Sequence, residues 1–421
     1  MNFKDLLKRY KEGTATDEEV KIIEEELEKY ESLEGYFAES ISDQFFKTDK
    51  FDGETLPING DEIRNIQKVV NHRLVKVVIT SVFIVIVLYI GFFYGVSSVV
   101  DKMYYDPTAI TQSEEQQFKS SDFSYDMQAY ISLNMPGHSI YSFTFQKPKG
   151  FGTYELSYSL WDLFTKNDQR HFIDLSRGRI THAIDGIFST QNRFSKWQGF
   201  EKILYPFPEY ASKDAIILRD EDAQRKNEVT LRYLNELNPL SFISMSIVFD
   251  EDLTMEEFYH MRREYSALDF KWVGVRTTDP GTQWSETQPM HLVGFNPNFN
   301  DEPSSNRRPD SEKYPLFNLV DMWDERTLSE KDFPEAYGTH FRSRLKYLRN
   351  RKEFVEIFDY NFYKIDFYDD AIKYIDEHGV KTYGVLVYGT AEEFLEHIDE
   401  IPYDTIHINS VLSTRPNIYY R

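Results

Sequence analysis

Residues 77–100 read VVITSVFIVIVLYIGFFYGVSSVV, twenty-four positions without a charge. At 1.5 Å per residue such a helix reaches about 36 Å, enough to cross a hydrocarbon core about 30 Å thick with some tilt. Sixteen of the 24 are Val, Ile, Leu or Phe, side chains that favour insertion near the bilayer centre. Helices in soluble cores seldom run so far without a polar face. The run is therefore expected to be a transmembrane helix. It lies too far from residue 1, and is too long, for a cleaved export signal, so it reads as a signal anchor.

The flanks predict its orientation. Arg64, Lys68, Arg73 and Lys76 crowd the N-terminal side, whereas the other side offers Lys102 beside Asp101 and Asp106. The positive-inside rule then places residues 1–76 in the cytoplasm and the C-terminal part outside the membrane. Tyr89, Phe92, Phe93, Tyr94, Tyr104 and Tyr105 gather at the outer end as an interfacial belt would.

Composition limits what the two flanking parts can be. A net charge of −22 argues against direct binding of nucleic acid, because nothing balances phosphate repulsion. The 16% aromatic content is enough to build folded cores. With no cysteine, the chain has no disulfide, thiol nucleophile, cysteine-ligated zinc or lipid-modified N-terminal cysteine.

The segment before the span reads as short helices. Gly13 ends the first, which runs from about Phe3 to Lys11, and Thr16 with Glu19 forms a capping box that starts the second. Along that second helix Val20, Ile23, Leu27, Tyr30, Leu33 and Phe37 recur every three or four residues as one apolar stripe. The opposite face is acidic. A third helix from about Asp61 carries Ile63, Ile66, Val70 and Leu74 and is expected to run straight into the span. Two readings of the stripe stay open: the core of a small solvated bundle, or a face that docks onto a basic partner.

The stretch YKEGTATDEEVKIIEEELEKYE, followed by an amphipathic helix and one membrane span, resembles the N-terminal module of the sigma-factor regulator family. These are membrane-anchored anti-sigma factors of low-GC Gram-positive bacteria, here of the class without a zinc site. Further on, AYISLNMPG (residues 129–137) and KYIDEHGVKTYGVLVYGTAEEFLEHI (residues 373–398) are similar to other parts of the same family. The resemblance is scattered over nearly the whole chain. It implies that the six stripe residues, Val20 to Phe37, form the surface that holds a sigma factor.

Beyond the span, residues 101–126 read as a polar tether. QAYISLNM, SIYSFTFQ, GTYELSYSLW and HFIDLSRGRIT follow as strands, rich in β-branched and aromatic residues. From Ser241 the pattern changes to strand, helix, strand, and the same order returns near the C-terminus. Both helices begin with T-x-E-E-F, at Thr254 and Thr390. Two such βαβ units are expected to share a ferredoxin-like sheet with a long insertion. The helices of that insertion are expected near residues 339–354 and 368–377.

Catalytic and metal motifs are not evident. Glu256/His260 and Glu393/His397 have i,i+4 spacing and are expected to pair on helix surfaces. GFGTYE lacks the Lys-Ser/Thr of a phosphate loop, and the Arg177–Gly178–Arg179 triplet reads as a turn in preference to an anion site. Most aromatic residues are assigned to core packing. No enzyme activity and no cofactor is expected.

The fold class expected is α+β: a small all-α cytoplasmic module (1–76), one transmembrane helix (77–100), a tether (101–126), an extracytoplasmic β-rich region (127–240) and an α+β domain (241–421). The resemblance implies a single-pass anti-sigma factor. Its partners would be an extracytoplasmic-function sigma factor inside, the lipid bilayer through residues 77–100, and an unidentified external ligand or protein. The alternative is a single-pass structural or assembly protein of the cell envelope with a partner-binding tail.

Overall fold

The computed structural model describes residues 60–110, 120–184, 200, 213–279, 292–298, 301, 309–319, 332–359 and 364–416, with Thr16 and Val20 before them. The chain divides into two compact units, Met1–Val85 and Ile86–Arg421. Helix α1 (Gly60–Asp101) crosses that division without a break. The helix expected from Asp61 and the expected span are thus one element. Among the described residues it is the one helix long and apolar enough to cross a membrane, over Lys68–Asp101. Most of its apolar side chains from Val69 to Val99 are exposed, so no protein core accounts for them. Thr80 donates its hydroxyl to the Lys76 carbonyl at 2.8 Å, which satisfies that polar group within the helix.

In the second unit, α2 (Asp122–Asn134) leads into a four-stranded antiparallel meander. Its strands are β1 (His138–Gly150), β2 (Thr153–Asp162), β3 (Asp168–Ser176) and β4 (Arg179–Ile184). Of the segments expected as strands after Met135, SIYSFTFQ and GTYELSYSLW lie in β1 and β2, and HFIDLSRGRIT is divided between β3 and β4 at Arg177–Gly178. QAYISLNM is not a strand: it is the body of α2, and this corrects the strand expectation. Twelve of the thirteen residues of α2 are buried. A helix enclosed all round has no polar face to mark a 3.6-residue period, and its alternating Ala129, Ile131 and Leu133 imitate a strand.

Helix α3 (Lys213–Glu236) is a second departure, since the sequence pattern did not indicate it. From Glu221 on most of its side chains are exposed, with charged residues interspersed among the apolar ones. Asn227 secures it: its amide donates to the Asp404 carbonyl at 2.8 Å, and its side-chain oxygen accepts from the Ile406 N–H at 3.0 Å.

The remaining chain forms β5 (Phe242–Thr254), α4 (Met255–Glu264), β6 (Asp269–Val275), β7 (Gly294–Phe295), α5 (Phe333–Arg349), α6 (Lys352–Phe358), α7 (Lys364–His378), β8 (Lys381–Thr390), α8 (Ala391–His397) and β9 (Thr405–Leu412). The second sheet has the order β7-β6-β8-β5-β9, and all its pairings are antiparallel. A strand of each βαβ unit therefore lies between the two strands of the other. That is the split arrangement a ferredoxin-like pair makes. Both Thr254 and Thr390 form complete capping boxes with Glu257 and Glu393. Gly384 lets β8 approach β5 closely, since a Cβ there would lie 2.4 Å from the Ile247 carbonyl oxygen. The helix expected over residues 339–354 is interrupted between α5 and α6, at Asn350 and Arg351.

Helices α5, α6 and α7 fill the insertion between β6 and β8. His340, on α5, is fully buried and shares a hydrogen bond of 2.8 Å with the Leu316 carbonyl through Nδ1. Burial, reinforced by the nearby Arg344 charge, holds its imidazole well below the usual histidine range. Below about pH 6.5 the unfolded chain therefore binds a proton that the native fold refuses. The stability this group lends at neutral pH should fall by up to about 1.4 kcal/mol per pH unit as pH drops toward the native value. Denaturant titration of the purified chain between about pH 7 and pH 5 should show that slope, and His340→Gln should flatten it.

Candidate functional site

The last turns of α1 are bonded to the hairpin that follows. Ser97 is buried, and its hydroxyl accepts the Phe151 N–H at 2.8 Å while donating to Asp101 at 3.2 Å. The Asp101 carboxylate in turn accepts the Gly152 N–H at 2.6 Å. Two side chains one helical turn apart thus satisfy two donors of the β1–β2 turn. That turn has positive φ at three successive residues, Gly150 (90°), Phe151 (54°) and Gly152 (70°). The left-handed backbone aims the N–H groups at the helix and sets the Phe151 ring against Phe93, 5.5 Å away edge to face. A non-glycine residue in this region carries strain of about 1 kcal/mol, which the contacts around Phe151 must offset.

The Arg177–Gly178 turn between β3 and β4 lies beside it. The Arg177 N–H donates to the Gly152 carbonyl at 2.7 Å, so the two hairpin tips are bonded to each other. Tyr104, just past α1, covers both tips: a Cβ at Gly152 would lie 3.2 Å from its ring, and one at Gly178 3.7 Å. Of the triplet read as a turn, Arg177 and Gly178 form it, and Arg179 begins β4.

A second cluster begins at Tyr105, four residues beyond Asp101, and draws in residues as far away as Arg351. Asp126, on α2, is fully buried. Its carboxylate accepts four bonds: from the Tyr105 hydroxyl at 2.7 Å, the Tyr347 hydroxyl at 2.9 Å, and the Arg351 guanidinium at 2.6 and 2.9 Å. Arg351 also reaches Asp122 at 3.2 Å. The rings of Phe354 and Phe358 lie about 6 Å from that of Tyr105. Burial raises the Asp126 carboxyl above its usual range, against the pull of Arg351 and the two phenols. Burial and the Asp126 charge push Tyr105 and Tyr347 well up, so both stay protonated and donate. Burial lowers the Arg351 pKa, but its bonds to Asp126 and the carboxylate charge more than reverse this.

Of the six stripe residues expected to bind a partner, Val20 alone is described; its N–H donates to the Thr16 carbonyl at 2.9 Å. Ile23, Leu27, Tyr30, Leu33 and Phe37 lie outside the described residues. Glu393 does not pair with His397. Its carboxylate is taken by the Thr390 N–H and Arg415, while His397 faces Glu400 at 3.9 Å, because capping the helix places Glu393 at the wrong end to reach it. Among the described residues no group of three or more His, Asp or Glu side chains is placed to hold a metal ion.

Sequence reasoning missed Ser97, Asp126 and Arg351, read Asp101 only as a flanking charge, and placed Tyr105 in the interfacial belt, whereas the structure buries Tyr105 against Asp126. One signal was available: once residues 122–134 are taken as a helix, Asp122 and Asp126 fall on one face, four residues apart. Removing the guanidinium leaves Asp126 buried without its strongest partner. Arg351→Met should therefore cost about 3–5 kcal/mol. Adding Asp126→Asn, which removes the orphaned charge, should recover part of that loss in denaturant titrations.

Residues 234–402 match the family model described as sigma factor regulator C-terminal. Searches of curated proteins and of solved structures gave no match. The matched span begins at the end of α3 and covers β5 to α8, including the insertion that supplies Tyr347 and Arg351. Over residues 234–402 the chain is thus similar to a sigma factor regulator C-terminal domain.

Proposed function

We propose that this protein is a single-pass, membrane-anchored anti-sigma factor. Residues 1–76 would hold an extracytoplasmic-function sigma factor inactive on the cytoplasmic side, and the region beyond the span would respond to a ligand or protein outside. The observation that carries the reading is the pairing, in one chain, of a sigma factor regulator C-terminal domain with a helix long and apolar enough to span a bilayer. The charge asymmetry around residues 77–100 supports the orientation.

Two sites separated by a membrane are coupled only through a state that both can bias. In this reading α1 is that element. An external ligand shifts the tail by preferring one arrangement of the region to which the end of α1 is bonded, and a differential affinity of about 3 kcal/mol changes the ratio of states by roughly a hundredfold. The bonds from Ser97 and Asp101 to the β1–β2 turn are the contacts through which such a preference would reach the helix.

Two experiments test this. A reporter fused after Arg421 should be active only in its export-dependent form; activity of the cytoplasmic form would overturn the orientation. Ile23→Asp and Leu27→Asp each place a charge in the proposed apolar contact. Both should release the sigma factor, raising its transcription about tenfold or more, while the protein stays in the membrane fraction. Unchanged retention of the sigma factor by both variants in pull-downs of the full chain would reject this face as the docking surface.

A further inference from the structure

We infer that the paired tips of the β1–β2 and β3–β4 hairpins form a foot that rests in the bilayer surface, with Phe151 at the acyl boundary and Arg177 and Arg179 on anionic lipid headgroups. The inference rests on the reading of α1 as a membrane span.

Depth along the helix carries it. The uncharged run is centred near Leu88, and Phe93 lies five residues beyond, about 8 Å toward the end of the span. Half of a hydrocarbon core is about 15 Å, so Phe93 sits inside the hydrocarbon region. The Phe151 ring packs on Phe93 at 5.5 Å and on Phe92 at 6.3 Å, and is itself only half-buried by protein. The Phe151 backbone is tied to Ser97, nine residues beyond Leu88 and about 14 Å from the centre, at the boundary itself. A turn fixed at that level by Ser97 and Asp101 has no room to stay clear of lipid.

Charge agrees with depth. Arg177 and Arg179 are exposed at the neighbouring tip, in a chain of net charge −22. Nearby acids are engaged elsewhere: Asp101 by the Gly152 N–H, Asp106 by Thr108, and Glu155 and Asp174 by Lys149. What the tip offers outward is an aromatic ring, the Tyr104 ring and two guanidiniums. That combination suits the level where headgroup phosphates meet acyl chains, since arginine forks bind phosphate and aromatic rings favour the interface.

The chain has no cysteine, so single cysteines can be labelled without altering the background. A bimane label is placed in turn on Phe151→Cys, on Lys149→Cys (which keeps Phe151), on Leu88→Cys in the span, and on Asp168→Cys at the far end of the meander. Asp168 pairs with Trp161, eight residues of β2 from Thr153, or about 27 Å away. The full chain is reconstituted into nanodiscs of phosphatidylcholine brominated on its acyl chains, with or without phosphatidylglycerol. Labels at 88, 149 and 151 should be quenched and the label at 168 should not. Phosphatidylglycerol should deepen quenching at 149, and R177Q/R179Q should abolish that increment. Quenching at 88 with none at 149 or 151 overturns the foot and leaves the span intact. No quenching at 88 overturns the span and the foot with it. An increment unchanged in R177Q/R179Q overturns the role of the two arginines.

Discussion

A buried carboxylate with four donors is the constraint around which the second unit is arranged. Asp126 contributes from α2, Tyr105 from the stretch after α1, Tyr347 from α5, and Arg351 from the break before α6. These four positions are separated by up to 246 residues, from Tyr105 to Arg351. None can move far without leaving a buried charge or phenol unsatisfied, at a cost of several kcal/mol. A hydrophobic replacement of the same shape would pack as well. It would not specify this one arrangement of the four segments so narrowly.

The same logic explains the character of α2. Its apolar residues meet the meander and the insertion helices, and several of its polar groups find partners across the core. Gln128 donates to Asn318 at 2.7 Å, Asn134 to the Tyr368 hydroxyl at 3.2 Å, and the Ser132 carbonyl accepts from the Trp272 indole at 3.2 Å. The family match begins at residue 234, yet the domain it describes is completed by this helix, which lies a hundred residues earlier. The meander and the matched domain are therefore one folded body in this chain.

At the other end of the connection, Ser97 and Asp101 continue the ties back into the last turn of α1. The path from the buried carboxylate to the helix runs through Tyr105 and Tyr104 and leaves little slack. A stiff link of this kind transmits rotation or tilt of a helix, whereas a polar tether would only keep the two ends in one neighbourhood. That is the physical content the structure adds to the proposed division of labour across a membrane.

What the sequence determined by itself is local. The uncharged run, the two T-x-E-E-F caps, the hairpin turns and the amphipathic or alternating strands each announce themselves within a dozen residues, because hydrophobic period and capping chemistry are short-range. The order of the split βαβ pair was legible too, since the two units repeat the same signals. Tertiary structure decided the rest. Helix α2 passes for a strand because burial on every side erases the period by which a helix is read. Helix α3 escapes notice for another reason: charged residues are interspersed among its apolar ones, and Val229 and Tyr233 lie exposed beside them. The residues that tie α1 to the hairpin and Asp126 to Arg351 are ordinary polar residues in unremarkable surroundings. They acquire a role only when the fold brings distant donors within 3 Å and removes the water that would otherwise satisfy them.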